Sequence, residues 1–263
     1  MTKVFWICAV SLCLSGVLSP PAAAQDAAAR IKAAQYALGM IRGPQRIDAI
    51  NTLEYWGTGY VAAPQVMGTY HVSLSYFTPA IRIDVTRGTP AVRQIEVVNG
   101  SFAWNESVPG GGFISGTTAT PAPGAVKDRL LLLWSTPHGA LKAAERAGSM
   151  AKVTQQNGAA VITFPLSAAL SGITMNVTLN SKNQVEKVET RSANGRPNDT
   201  VETTYSDYKD LSEIQSDVLF PSRILRKQGG VAVLDVTITK TDTNNPYVVF
   251  PVPDNVEKAD KTK

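Results

Sequence analysis

Residues 126–148 read VKDRLLLLWSTPHGALKAAERAG, a helical and apolar stretch in a chain that otherwise alternates like β-strand. Leu130, Leu133, Trp134 and Leu141 recur at the spacing of one helix face. Ser135-Thr136-Pro137 interrupts the run, and threonine before proline suits an N-cap followed by the first helical position. The pattern therefore predicts two helices with a bend between them, the second stopping at Gly148. Leu131 and Leu132 point off the main face, so the first helix is apolar nearly all round and needs cover on two sides. A helix of that kind fits a plug lying against a curved sheet.

Working outward, the flanking segments supply the sheet. Residues 53–63, 69–78 and 80–86 read as strands. In the last, Ile81, Ile83 and Val85 take one face and Arg82, Asp84 and Thr86 the other. Gly57 and Gly59 inside a strand signal a bulge or a close backbone approach. Residues 92–98 and 101–105 form a hairpin across Asn99-Gly100. After the helix pair, strand patterns return over residues 151–241, with turns at Asn157-Gly158, Ser181-Lys182-Asn183, Asn194-Gly195 and Gly229-Gly230. In the last of them Ala232, Leu234, Val236 and Ile238 make a wholly apolar face. Between the two strand groups, residues 106–123 form a polar loop with three consecutive glycines, read as a mobile gate. A leading helix capped by Asp26 runs to Ile41 and stops at Gly43-Pro44. About ten or eleven largely antiparallel strands with these helices give an α+β fold: a half-barrel whose concave face the central helix pair plugs. Residues 25–250 form a single domain and residues 251–263 a disordered tail.

The chain has 263 residues, 44% of them hydrophobic, enough for a sizeable core. Lys3, the apolar run 4–18 and Ala22-Ala23-Ala24 together read as an export leader cleaved near Ala24, which places the mature protein in the periplasm or outside the cell. A membrane anchor fits less well, because the apolar run is short and Pro20-Pro21 ends it. Cys8 and Cys13 both fall in that leader, and neither Ile7 nor Leu12 is the small residue a lipobox needs, so the mature chain is expected to hold no thiol chemistry. The net charge of +4 is spread among acids and bases rather than gathered in a block, the pattern of a solvated surface and not of a nucleic-acid partner.

No constellation names a reaction. The 2 histidines, His71 and His138, are far apart in sequence, so no metal and no cofactor is expected. Ser135 and His138 lie three residues apart across a bend, which is not a triad geometry, and no Gly-x-Ser-x-Gly elbow occurs. Glu54, beside Tyr55-Trp56, is the most enclosed carboxylate, read as a lumen or edge contact. Gly110-Gly111-Gly112 lacks the lysine and helix of a phosphate loop. Tyr55, Trp56, Tyr60, Tyr70, Tyr76, Phe77, Phe102 and Trp104 crowd the first half of the sheet, which suits either a core or a hydrophobic cavity.

Several motifs carry a resemblance: residues 51–59 (NTLEYWGTG), Ala103-Trp104-Asn105, residues 133–139 (LWSTPHG), Tyr205-Ser206-Asp207-Tyr208 and residues 220–224 (FPSRI). In this order the chain resembles the exported proteobacterial region that often precedes a metallo-β-lactamase-fold hydrolase domain. Its closing tyrosine-rich segment and Phe-Pro pair also resemble LolA/LolB-type lipoprotein carriers, whose helix-capped half-barrel binds acyl chains. The chain ends at Lys263 without a clustered histidine–aspartate motif, so no hydrolase activity is carried over. The expected function is an exported, monomeric, non-enzymatic binding protein for a lipid-like or other apolar ligand such as an acyl chain. The alternative is an accessory domain docking on a separate exported hydrolase or envelope complex. The expected ligand-binding residues are Trp56, Tyr60, Tyr76, Trp104, Leu133, Trp134 and His138. The opening is expected between residues 110–123 and the bend, with Trp134 near the ligand and His138 at the rim.

Overall fold

A computed structural model describes residues 27–42, 47–48, 50–61, 66–192 and 200–260. The expected leader, the Asp26 cap, the Gly43-Pro44 stop, the Asn194-Gly195 turn and residues 261–263 lie outside the described residues. The chain opens with α1 (Ala27–Ala37) and a short pair, β1 (Ile41–Arg42) with β2 (Ile47–Asp48). α1 ends four residues before Ile41. Leu38 and Gly39 leave the helix, Gly39 at φ +68°, with its backbone against the Asp217 carbonyl where no β-carbon would fit.

The first meander is β3 (Thr52–Val61), β4 (Val66–Ser75), β5 (Ala80–Arg87), β6 (Val92–Asn99), β7 (Phe102–Glu106) and β8 (Ala119–Pro121). The helix pair α2 (Val126–Trp134) and α3 (Pro137–Ala147) follows. The second meander is β9 (Lys152–Gln156), β10 (Ala159–Pro165), β11 (Ile173–Leu179), β12 (Val185–Ser192), β13 (Val201–Lys209), β14 (Phe220–Gln228) and β15 (Val231–Thr243). Among the described residues these make one 13-stranded antiparallel sheet in the order β8-β7-β6-β5-β4-β3-β15-β14-β13-β12-β11-β10-β9. The first meander runs from the centre to one edge, and the second returns from the other edge to the centre. The two ends of the helix pair are thereby tied to opposite edges, and the connection has to cross a face of the sheet. That face is the concave one.

The seam between β3 and β15 joins the two meanders at close quarters. A β-carbon on Gly57 or Gly59 would run into the carbonyl oxygens of Thr237 and Asp235 on β15. The β15 register also slips there, from Ile238 opposite Gly57 to Lys240 opposite Trp56, leaving Thr239 as a bulge. Glycine at these two positions lets the neighbouring backbones close to a distance that any side chain would prevent.

Strand alternation sorts the side chains. Leu53, Tyr55, Tyr70, Val72, Ile83 and Val85 turn inward from the first meander and meet Leu130, Leu133 and Leu141 of the helices. Phe164, Val177, Ile224 and Val236 close the same core from the second meander. Each such side chain contributes roughly 1.5–3 kcal/mol of burial. Arg129 fastens α2 to β6 and β7, donating to the carbonyls of Val97 (2.9 Å) and Trp104 (2.6 Å) and to Asn105 Oδ1 (2.5 Å). Thr136 caps α3 as its sequence predicts, accepting the Gly139 N–H at 3.2 Å, and Gly148 ends the helix at φ +56°.

Three expectations change. The hairpin turn sits one residue later, at Gly100-Ser101, because Asn99 pairs with Phe102. The polar segment 106–123 is tied down rather than free. Glu106 accepts the Gly110 N–H at 2.9 Å, Thr117 Oγ1 accepts the Gly112 N–H at 3.1 Å, and Ala119–Pro121 is the edge strand β8. The expected disordered tail contains α4 (Asp254–Asp260). Its charged residues face water, while Phe250 and Val256 bury against Ala80, Ile95, Val97, Trp104 and Ala119 on the convex face, a second and smaller core. Asn99 Nδ2 donates to the Phe250 carbonyl (2.8 Å) and Asn255 Nδ2 to that of Ala119 (2.6 Å), which pins the segment in place.

Candidate functional site

The bend between α2 and α3 is built around one hydroxyl. Thr136 Oγ1 donates to the Leu133 carbonyl at 2.8 Å, which leaves it to accept from Gly139 N–H and from Tyr76 Oη, 2.8 Å away. Tyr205 Oη donates to the Ser135 carbonyl one residue earlier. Both strand groups thus hold the bend, Tyr76 from the first meander and Tyr205 from the second. Gly139 is needed because a β-carbon there would strike Leu133 O and Thr136 Oγ1. Burial raises the Tyr205 hydroxyl above its ordinary pKa, which keeps it a donor at neutral pH.

Beside this bend lies a cavity of about 380 Å³, walled by Leu130 and Trp134 of α2, Ala143 and Ala147 of α3, and the loop holding Leu166 and Leu170. The turns that carry Pro79 and Gly100-Ser101 close its far side, and Met150 stands half-exposed at its mouth. The lining is almost wholly apolar. Its charged member, Arg146, lies over the Trp134 ring at 4.5 Å and donates to the Tyr76 carbonyl at 3.2 Å. The volume falls within the ordinary range of small-molecule sites.

A second compartment, about 350 Å³, opens on the concave face on the Leu132 side of α2. Tyr70, Ile83, Val85 and Leu234 line it together with Arg87, Gln94, Glu96 and Arg226. This accounts for the apolar character of α2 all round: Leu130 and Trp134 face one space, Leu132 the other.

The structure brings only part of the expected site together. Trp134, 8% exposed, does wall a cavity. Tyr76 stands behind it, ring centroids 6.2 Å apart, and Leu133 is packed in the core. His138 is not at a rim. It is 0% exposed and stacks on Phe220 at 5.8 Å. Trp56, Tyr60 and Trp104 are on the convex face, away from both cavities. They alternate with the inward Tyr55, Gly57, Gly59 and Ala103, and a period of two sends them outward. Trp104 is buried under the C-terminal segment, donating to Glu106 Oε1 at 2.9 Å. Trp56 stacks on His71 at 4.5 Å, and Tyr60 is 43% exposed. The opening lies between the helix pair and the loop 165–170 rather than at residues 110–123. Sequence reasoning missed that loop and the Arg226 compartment.

The convex face gathers Glu54, His71 and Ser73. Glu54 Oε1 accepts from Ser73 Oγ (2.7 Å) and lies 3.2 Å from His71 Nε2, while Glu54 Oε2 accepts from Asn245 Nδ2 (2.7 Å). Burial pushes this carboxyl up, but the hydrogen bonds from His71, Ser73 and Asn245 outweigh it and hold the pKa below the usual carboxylate value. Ser73 Oγ also approaches the same Nε2, at 3.3 Å. A serine relay needs serine and carboxylate on opposite ring nitrogens, so this cluster ties β3, β4 and the Asn245 turn together instead of activating Ser73. Among the described residues no group of three or more His, Cys, Asp or Glu side chains is placed to hold a metal ion. No protein-family model matches the chain, and a search of curated proteins finds no relative.

Proposed function

We propose that the protein is an exported holder of an apolar, lipid-like ligand, without catalytic chemistry of its own, and that the Trp134 cavity takes the ligand. The observation that carries the reading is a 380 Å³ space with apolar walls, left open between the helix pair and the loop 165–170. An acyl chain placing ten methylenes there would gain roughly 8 kcal/mol at ~0.8 each, the scale of micromolar binding before ordering costs. Such a site needs no polar motif, which agrees with the plain chemistry of its lining. The leader-like residues 1–24 support export, and an open antiparallel sheet with helices across its concave face is the arrangement that the resemblance to LolA/LolB-type carriers implies.

Tryptophan placement makes the test direct. Trp134 walls the cavity, whereas Trp56 and Trp104 lie on the other face of the sheet. A fatty acid brominated along its chain should quench the Trp134 part of the emission, and Trp134→Phe should remove the quenchable fraction. Unquenched emission in the wild type, or equal quenching in Trp134→Phe, would overturn the assignment. Native mass spectrometry of the protein extracted from cells should show an adduct in the lipid mass range.

A further inference from the structure

The concave compartment on the Leu132 side of α2 differs from the Trp134 cavity in its charge. Arginines on the outward positions of the sheet are paired: Arg82 with Glu106 (3.0 Å), Arg93 with Asp84 (2.5 Å) and Arg223 with Asp235 (3.0 Å). Arg226 is on β14 at an inward position, sharing parity with the buried Phe220 and Ile224. Its Nε donates to Thr203 Oγ1 at 3.3 Å, and among the described residues it forms no ion pair with a carboxylate. Arg87, across the compartment, donates to the neutral Gln94 Oε1 at 3.3 Å and, among the described residues, forms no ion pair. The one acid of the lining, Glu96, lies 3.8 Å from Arg129 of α2 and accepts from the neighbouring Gln94 amide at 2.6 Å. The charged lining thus sets two guanidiniums, Arg87 and Arg226, against the single carboxylate of Glu96, and that carboxylate faces Arg129.

Around Arg226 the walls are Tyr70, Ile83, Val85, Leu132 and Leu234. A half-buried guanidinium on such a wall has given up part of its hydration without a compensating anion. Its planar fork suits a carboxylate bidentately. Burial keeps the Tyr70 hydroxyl protonated, so no phenolate competes for the cation.

We propose that this compartment binds a single-chain amphiphile ending in a carboxylate, the anion on Arg226 and the chain against Tyr70, Ile83, Val85, Leu132 and Leu234. α2 separates this site from the Trp134 cavity, so the failure of either assignment leaves the other standing.

Dodecanoate and dodecanol share a chain and differ in the charge of the head. At pH 8, below micelle-forming concentrations, the wild type should bind dodecanoate at least tenfold more tightly than dodecanol by calorimetry. The Arg226 Nε–H resonance should shift with dodecanoate and stay in place with dodecanol. Arg226→Gln should abolish the preference while leaving dodecanol affinity unchanged, and Arg226→Lys should keep part of it. Equal affinity for the two ligands, a retained preference in Arg226→Gln, or an Nε–H signal indifferent to dodecanoate overturns the proposal. The resonance measurement decides on the wild type alone if the glutamine variant does not fold. Trp134 emission, followed in the same titration, reports separately on the other cavity.

Discussion

Single side chains set local order in this protein, and Asp210 shows how. Its carboxylate accepts the backbone N–H groups of Ser212 (3.1 Å), Ser216 (2.7 Å) and Asp217 (2.7 Å), together with the Ser212 hydroxyl, and so shapes the connection between β13 and β14. Burial raises its pKa, but those donors outweigh it and pull the group down to about 2. A carboxyl depressed in the folded state stabilises above its unfolded pKa and loses that contribution as pH falls through the folded value. The contribution is thus complete at neutral pH and is lost between the ordinary carboxylate value, 3.8, and the folded value of about 2. Asp210→Asn should lower the melting temperature by the same amount at pH 5 and pH 8, with the gap from wild type closing as acid approaches pH 2. A gap that changes between pH 5 and pH 8 would assign the loop's stability to another group.

At the scale of the element, the helix pair decides what the cavities are. Trp134 touches Tyr76 and Arg146 on one side and open space on the other. Removing a fully packed tryptophan costs about 3–5 kcal/mol. Trp134→Ala should fall short of that, at roughly 2–3 kcal/mol by urea denaturation, because part of its surface meets no protein atoms. The larger loss would place it in the core and leave the cavity without its wall. The helix pair was legible in the sequence because its signals are local: the leucine spacing, Thr136-Pro137 at the bend and Gly148 at the end. The faces of each strand were legible for the same reason, as in Ile81, Ile83 and Val85. Which face is concave was not legible. Alternation carries a period but no sign, so the sequence alone places Trp56, Tyr60 and Trp104 at the cavity, whereas they point away from it. Arg226 left a trace, a cation at the parity of Phe220 and Ile224, but that no carboxylate among the described residues pairs with it depends on neighbours from β13 and β15 that only the fold supplies.

The molecule as a whole is a sheet with two unequal cores. The larger, on the concave face, draws on both meanders and the helices, and among the described residues its buried apolar members end at Ile238. The smaller, on the convex face, exists only because the segment after Asn245 folds back over β6, β7 and β8. The seam contacts of Asn244 with Asn51 (2.9 Å) and Asn245 with Glu54 (2.7 Å) precede that segment, so the seam does not depend on it. Removing residues 246–263 should therefore leave the antiparallel sheet and the Trp134 cavity intact while uncovering Ala80, Ile95, Val97 and Trp104. Far-ultraviolet circular dichroism should be nearly unchanged. Trp104 emission should move to longer wavelength, and the shortened protein should bind a hydrophobic dye and self-associate, as an exposed apolar patch does. Unfolding of the whole sheet would mean that the convex core supports the concave one, and an absent dye response would mean that the patch closes on itself.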